Sequence, residues 1–125
     1  MHWADHTAMR LSKQYDSQVI ASGITPSGEF HIGHLREILT AEMTHRACLD
    51  AEIDSEYIFI VDSMDPLRRV YGFLSEEYQE YIGYPLVNIP APNPDGTPNH
   101  KGGNYANHFL QPFLEALKEI GVHPK

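Results

Sequence analysis

The chain has 125 residues, of which 42% are hydrophobic, enough for one domain of ordinary size with its own core. Its 17 acidic residues outnumber its 9 basic ones, and the net charge of −8 argues against a chain that serves mainly as a basic nucleic-acid surface. The single cysteine, together with the lack of a long apolar run or a secretory signal, predicts a soluble protein of a reducing, cytoplasmic compartment.

Apolar periodicity predicts helix, strand, helix and strand in the first half of the chain. These elements are expected at residues 2–14, 18–22, 31–49 and 56–61. In the second helix Leu35, Leu39, Met43 and Ala47 recur at steps of four, which predicts that this stripe faces the core. The second strand is almost continuously apolar, as is typical of a strand covered on both faces. Strand, helix and strand predict a βαβ unit with a parallel sheet.

The second half of the chain predicts two further helices separated by a long loop. Residues 75–82 form a short helix with Ser75 as its N-cap, and residues 83–103, rich in proline and glycine, form an irregular loop that is functional or mobile. A helix is expected at residues 104–120, with Phe109, Phe113, Leu117 and Ile120 on one side, a start or kink at Pro112 and an end at Gly121.

The segment between the first strand and the second helix carries the strongest functional pattern. A turn of Pro26, Ser27 and Gly28 leads into a helix that opens with His31 and His34. A helix N-terminus offers free N–H groups and a positive dipole end, and two histidines one turn apart can each donate a hydrogen bond to an anion. Gly33 between them lets a flat ring approach the backbone. The segment therefore predicts a phosphate-handling corner.

Residues 31–34 spell the HIGH motif of class I aminoacyl-tRNA synthetases, and their surroundings narrow the resemblance. The flanking segments resemble the class I form of lysyl-tRNA synthetase: His2-Trp3-Ala4-Asp5, residues 21–28, Leu35-Arg36-Glu37, residues 60–68 and residues 105–114. The resemblance runs from residue 2 to about residue 121.

The resemblance implies an α/β fold, part of a Rossmann-like nucleotide-binding domain with a parallel sheet and flanking helices. Residues 1–125 would be the N-terminal half of the catalytic domain of an enzyme that activates lysine with ATP and Mg²⁺ and transfers it to lysine tRNA. The implied site residues are His31 and His34 for catalysis, Pro26, Ser27, Gly28, His31, Gly33 and His34 for ATP, and Gly23 and Thr25 for lysine.

Two acidic or histidine-containing clusters invite a metal interpretation. Asp62 and Asp65 follow the second strand and can hold a divalent cation, although ion pairing with the following Arg68 and Arg69 is favoured. Relatives of this family often carry zinc ligands near residues 95–108. Here Asp95, His100 and His108 remain as potential Zn²⁺ ligands, but Asn99 stands where a thiolate is usual, which weakens any zinc site.

The sequence also departs from a whole synthetase. None of the lysines lies in a KMSKS motif, the second signature of the class, and no anticodon-binding domain is present. We therefore expect a fragment that lacks the C-terminal half and has weak or no activity alone. The alternatives are a fragment of a glutamyl-type class I synthetase or HIGH-bearing nucleotidyltransferase, a non-enzymatic paralogue that binds a ligand or partner, and a metal-dependent protein.

Overall fold

A computed structural model describes residues 1–125 and confirms the α/β class. The elements are α1 (Trp3–Ser12), β1 (Ser17–Ile24), α2 (Ile32–Asp50), β2 (Asp54–Val61) and α3 (Tyr105–Glu119), with 3₁₀ helices at Glu76–Tyr81 and Leu86–Asn88. The two strands form a parallel sheet, consistent with part of a Rossmann-like fold. No helix is long and apolar enough to cross a membrane.

The chain divides into two compact units. The first comprises Met1–Gly23, His31–Ile60 and Gly121–Lys125, and the second comprises Ile24–Phe30 and Val61–Ile120. The first unit therefore holds α1, α2 and nearly all of the sheet. The second holds the turn before α2, both 3₁₀ helices and α3.

The buried face of α2 matches the predicted stripe only in part, since Ala47 is buried but Leu39 and Met43 are not. Leu39 and Met43 are 36% and 38% exposed, whereas Ile38 and Cys48 are completely buried. Small side chains explain the difference, because α1 packs against α2 through a cluster of Ala4, Ala8, Ala47 and Cys48. The spacing gave large and small apolar residues equal weight, whereas the close packing of α1 against α2 buries the small ones.

The sheet is covered on one face in the first unit, so the prediction of a strand covered on both faces was wrong. Ser22 and Tyr57 share a buried hydrogen bond of 2.6 Å, and the Tyr57 hydroxyl lies 3.5 Å from a carbonyl oxygen of α2. Side chains three positions along a strand point the opposite way. Val19 and Ile60, on that opposite face, are 64% and 52% exposed.

The edge of β2 that faces away from β1 is paired near Lys125. The Lys125 N–H donates to the carbonyl oxygen of Tyr57 at 3.0 Å, and the Phe59 N–H donates to the carbonyl oxygen of Lys125 at 2.8 Å. One residue bonded to positions on either side of Ile58 is the hydrogen-bond pattern of a parallel bridge. At this point β2 therefore has backbone neighbours on both sides.

The second unit packs around buried aromatic and aliphatic side chains. Its core contains Leu67, Leu74, Tyr78, Leu86, Ile89, Tyr105, Ala106 and Phe109. The expected loop at 83–103 contributes two of these residues, and isolated β-bridges tie it down at Pro85, Pro90 and Pro92. Loop backbone that carries core side chains is packed, so the mobile alternative for this segment is not supported.

Three details of the second-unit helices differ from the prediction. Ser75 precedes the first 3₁₀ helix, but its hydroxyl is buried and makes no capping bond. Of the two alternatives predicted for Pro112, a helix start is excluded, because the residue lies inside α3. Ile120 is 53% exposed, although Phe109, Phe113 and Leu117 on the same predicted stripe are buried.

Gly96 is the glycine whose replacement should damage this unit most. Its φ is +88°, and an added Cβ would lie 2.5 Å from the Phe73 carbonyl oxygen and 3.1 Å from the Ser75 nitrogen. Gly96→Ala should lower the free energy of unfolding by about 1–3 kcal/mol, because both the conformation and the backbone contact are strained. Gly72→Ala is the matched control, since its Cβ would meet nothing within 4 Å. Urea unfolding that shows equal losses in both variants would contradict this account.

Candidate functional site

The first turn of α2 is closed by His31 and His34 in a reciprocal cap. His31 is the N-cap residue, with extended backbone at φ −135° and ψ −179°. Its Nδ1 accepts the Gly33 N–H at 3.0 Å, and the Nδ1 of His34 accepts the His31 N–H at 3.2 Å. The two ring centroids are 4.1 Å apart. Two of the unpaired donors of the helix N-terminus are thereby satisfied by imidazole nitrogens.

This cap determines where the two rings carry their protons. A neutral imidazole has one acceptor nitrogen and one N–H, so an accepting Nδ1 leaves the proton on Nε2. For His34, desolvation by burial lowers the pKa, with a further lowering from His31 that outweighs the opposite effect of Glu37. At neutral pH His34 is therefore an uncharged ring that carries its proton on Nε2.

Gly33 is required by the cap itself. A Cβ at this position would lie 2.7 Å from Cε1 and 2.9 Å from Nδ1 of the His31 ring. Real Cβ atoms do not approach other atoms that closely, so any larger residue would push the ring away. The flat ring that approaches Gly33 in this structure is the ring of His31.

The end of β1 is held against α2 by a carboxylate. Glu37 Oε1 accepts the Gly23 N–H at 3.2 Å, and a Cβ on Gly23 would lie 3.3 Å from the Ile60 carbonyl oxygen. Beside this contact lies an open groove of about 370 Å³ between β1 and the first half of α2. Its lining includes Gly33, Arg36 and Glu37. The first unit thus presents a groove that reaches the HIGH turn.

In the second unit, the turn that leads into α2 is fixed by two long-range hydrogen bonds. The Thr25 hydroxyl donates to Asp65 Oδ2 at 2.7 Å, and the Tyr105 hydroxyl donates to the Ser27 carbonyl oxygen. Burial raises the pKa of Tyr105, so this phenol stays a donor. Pro26 is fully buried, while the Ser27 side chain is half-buried with no hydrogen bond of its own. The turn is therefore held at two points, and the Ser27 hydroxyl remains available for a ligand.

Asp62 and Asp65 do not form the ion pairs that the sequence favoured. The salt bridges of the chain join Arg46 to Glu42 and Lys125 to Glu56. Asp65 instead orients the Thr25 hydroxyl, and the Asp62 N–H donates to the last carbonyl oxygen of β1 at 2.8 Å. The ion-pair prediction was wrong: the Asp65 carboxylate is engaged by the Thr25 hydroxyl, and Asp62 takes part in neither salt bridge.

The zinc cluster considered for residues 95–108 is not assembled. No three His, Cys, Asp or Glu side chains are grouped to hold a metal ion. Asp95 is used locally, since its Oδ1 accepts from the Thr97 hydroxyl at 2.6 Å and from the Thr97 N–H at 3.0 Å. His108 lies on α3 with its ring against Phe109, and His100 is exposed on the preceding loop. These side chains serve separate local structures.

A second cavity of about 350 Å³ lies on the second unit alone. It is lined by Glu29, Phe30, His108, Phe109, Pro112, Phe113 and Ala116. Phe30 and Phe113 stack with centroids 4.3 Å apart on its wall. The cavity is aromatic, with a carboxylate and an imidazole among its lining groups.

Two residues that support the site were not singled out by the sequence. Glu37 holds the Gly23 amide and Tyr105 holds the Ser27 carbonyl. Glu37 could have been found from the sequence, because it lies one turn beyond Gly33 on the helix that starts at the motif. Tyr105 lies 78 positions from Ser27, so only the tertiary fold brings them together.

The chain matches, over residues 1–125, the model of a family described as tRNA synthetases class I (K). It is 46% identical over 125 residues to lysine–tRNA ligase 1 of Methanosarcina acetivorans, covering the whole chain and 22% of that protein. It is 49% identical over 122 residues to a lysine–tRNA ligase of Archaeoglobus fulgidus, covering 98% of the chain and 24% of the relative. A lysine–tRNA ligase of Methanocaldococcus jannaschii is 45% identical over 124 residues, covering 98% of the chain and 22% of the relative. The chain thus spans about a fifth of the length of these curated relatives.

Two replacements of His31 should show how much its role as helix cap contributes to stability. His31→Ala removes the acceptor for the Gly33 N–H and should lower the free energy of unfolding by about 1 kcal/mol. His31→Asn supplies a capping oxygen in place of Nδ1 and should stay close to wild type. Thermal and urea unfolding give the measurement. If both variants lost equal stability, the cap would not be the stabilising contact.

His34 should make the folded state sensitive to acid. Its pKa is lowered from 6.5 in the folded chain, so the unfolded chain binds the proton more readily. The stability that the neutral His34 ring contributes to the folded state is complete above pH 6.5 and is lost as the pH falls through the lowered pKa. His34→Gln keeps an acceptor at the same helix position without titrating. Stability measured from pH 5 to 8 should fall less steeply on acidification in the variant, and parallel curves would refute the assignment.

Proposed function

The chain belongs to the tRNA synthetases class I (K) family, and from this membership we propose that it supplies the HIGH-bearing part of a lysine–tRNA ligase. The proposed reaction joins lysine to ATP. A carboxylate oxygen of lysine attacks the α-phosphorus, the bond from that phosphorus to the bridging oxygen breaks, and pyrophosphate leaves with the electron pair. The products are lysyl-adenylate and pyrophosphate, and a second step passes the lysyl group to lysine tRNA.

The observation that carries the proposal is the reciprocal cap of His31 and His34. Charge rises on the phosphate oxygens as the α-phosphorus is attacked, so donors fixed in advance stabilise the transition state. Both Nδ1 atoms already accept backbone N–H groups, which leaves Nε2–H as the donor on each ring. A ring whose tautomer is fixed in advance donates without first having to reorient. The proposed role of both histidines is therefore electrostatic, with neither acting as a base.

The turn before α2 is proposed to hold the two substrates. ATP phosphates are assigned to the turn of Pro26, Ser27 and Gly28, where the free Ser27 hydroxyl is the donor, and to the N-terminus of α2 at Gly33. Lysine is assigned to Gly23 and Thr25. The Thr25 hydroxyl donates its hydrogen bond to Asp65, which leaves its oxygen lone pairs as acceptors that suit an ammonium group.

The remaining cofactors and partners follow from the proposed enzyme. Mg²⁺ would enter with the ATP phosphates and supply charge neutralisation there; no residue of this chain is assigned to it. The domain is proposed as the N-terminal half of a catalytic domain, in a cytoplasmic enzyme. The exposed apolar side chains of Val19 and Ile60 support a larger domain, since a second layer on that face would cover them.

The alternatives are disfavoured by the relatives. A glutamyl-type enzyme would share the HIGH histidines, but the relatives at 40–49% identity are named lysine–tRNA ligases. A non-enzymatic binding paralogue would retain the packing residues without needing both imidazole donors. No feature of the structure favours it over the enzyme.

The proposal predicts lysine-dependent exchange of pyrophosphate into ATP, slow in this chain alone. The double variant His31→Asn, His34→Gln retains capping acceptors at both positions and replaces both Nε2–H donors by amide N–H groups at other positions, so its exchange should fall at least about 100-fold. With glutamate in place of lysine, the wild-type chain should show no pyrophosphate exchange. Calorimetry with a non-hydrolysable lysyl-adenylate analogue extends the test below the detection limit of exchange.

Each outcome decides a different part of the proposal. Failure to bind the lysyl analogue, or tighter binding of the glutamyl analogue, would overturn the proposed substrate. Equal exchange in wild type and the double variant would overturn the role of the two histidines. Loss of exchange with retained analogue binding supports both.

A further inference from the structure

The hydroxyl of Tyr105 is a fixed hydrogen-bond donor at the turn that precedes α2. Tyr105 is completely buried, and its ring packs against Tyr78 and Phe109 with centroids 6.1 Å and 4.9 Å away. It is the first residue of α3, and its N–H donates to the carbonyl oxygen of Ile89 at 2.8 Å. Backbone and ring are both held, so the hydroxyl that donates to the Ser27 carbonyl oxygen has little freedom to move.

This hydrogen bond determines which way the next backbone N–H points. The peptide bond between Ser27 and Gly28 is trans, because the chain contains no cis peptide bond. In a planar trans peptide unit the C=O and the N–H point in opposite directions. Because the Ser27 carbonyl oxygen is turned inward to Tyr105, the Gly28 N–H is turned away from the core.

The Gly28 N–H is available to a ligand. It donates to no acceptor within the chain, whereas the neighbouring Ser27 N–H donates to the Thr25 carbonyl oxygen at 2.8 Å. Gly28 is partly exposed. A backbone N–H on a residue without a side chain allows the close approach of an anion such as a phosphate oxygen.

Without the Tyr105 hydroxyl, a second orientation of this peptide unit would be open. Flipping the unit exchanges the directions of the C=O and the N–H and carries Gly28 to a positive φ. Gly28 does not have a positive φ in the structure, but glycine adopts either sign with similar ease. In the flipped state a carbonyl oxygen would face the phosphates and repel them. The hydrogen bond from Tyr105 therefore selects the orientation that can bind an anion.

We propose that Tyr105 is a positioning residue for nucleotide binding, which acts through the Ser27 carbonyl to aim the Gly28 N–H at a phosphate oxygen of ATP. The inference rests on the proposed function, which assigns the ATP phosphates to this turn. Tyr105 itself stays in the core and touches no substrate. Loss of its hydroxyl should weaken the binding of phosphate groups and leave the binding of the nucleoside unchanged.

Tyr78 provides a matched control for Tyr105. Both phenols are completely buried in the core of the second unit, and each donates to a backbone carbonyl oxygen. The acceptor of Tyr78 is Pro90, at 2.9 Å, which lies outside the turn. Tyr105→Phe and Tyr78→Phe each remove one hydroxyl and keep the ring, so a purely structural contribution would be lost alike in both.

The test is NMR of the whole chain labelled with ¹³C′-serine and ¹⁵N-glycine. Only Ser22 and Ser27 precede a glycine, so a spectrum that links each carbonyl to the next N–H shows Gly23 and Gly28 alone. Ser27→Ala removes the Gly28 signal from this spectrum and thereby identifies it. In the wild type, ATP should shift the Gly28 amide proton, and adenosine should move it far less.

The two tyrosine variants should then separate positioning from packing. Tyr105→Phe should shift the Ser27 carbonyl carbon and weaken ATP binding about tenfold, while its affinity for adenosine stays that of the wild type. Tyr78→Phe should bind ATP and adenosine as the wild type does. Melting temperatures check that both variants are folded.

The outcomes separate this inference from the proposed function. The inference is overturned if ATP leaves the wild-type Gly28 amide in place, or if Tyr105→Phe leaves the Ser27 carbonyl unshifted. Equal losses of ATP affinity in Tyr105→Phe and Tyr78→Phe, or equal losses for ATP and adenosine in Tyr105→Phe, would also overturn it. Lysine-dependent pyrophosphate exchange by the wild-type chain would leave the proposed function standing in each case. The wild-type titration decides the role of the Gly28 N–H even if Tyr105→Phe fails to fold.

Discussion

The imidazole rings of His31 and His34 each accept a backbone N–H at the start of α2, at 3.0 Å and 3.2 Å. A helix N-terminus normally relies on serine, threonine or aspartate oxygens for these donors. Using imidazole nitrogens instead couples the local fold to the protonation state of the two side chains. The cap exists only while each Nδ1 is unprotonated, and that same state leaves an Nε2–H on each ring. Helix initiation and the proposed donation to a ligand therefore require the same tautomer.

The surrounding backbone is arranged to permit this geometry. Gly33 leaves room for the His31 ring, and Gly23 lets β1 approach the Ile60 carbonyl while its amide is held by Glu37. In the second unit, Asp65 fixes the Thr25 hydroxyl and thereby the start of the turn that leads to the histidines. Positions of this kind are sensitive to small changes, because interiors and tight turns relax poorly. Rigid support of this sort is what preorganised donors need.

The sequence was informative where local pattern determines structure. Every predicted helix and strand is present, and the segment from Gly23 to His34 was recognised from its turn residues and motif. The sequence was uninformative where packing against another part of the chain decides which side chains are buried or hydrogen-bonded. Within the predicted α2 stripe, Leu39 and Met43 are exposed because α1 packs on the side of Ala47 and Cys48. Asp65 forms no ion pair because its carboxylate accepts the Thr25 hydroxyl, a contact between residues forty positions apart.

The tautomers of His31 and His34 are the central claim, and long-range ¹H–¹⁵N NMR of the histidine-labelled chain at about pH 7.5 measures them directly. The His31→Asn and His34→Gln variants identify the two rings among the eight histidines. The account predicts a protonated Nε2 and an unprotonated Nδ1 in both rings. A protonated Nδ1, or a charged ring in either position, would break the reciprocal cap and contradict the proposed donors.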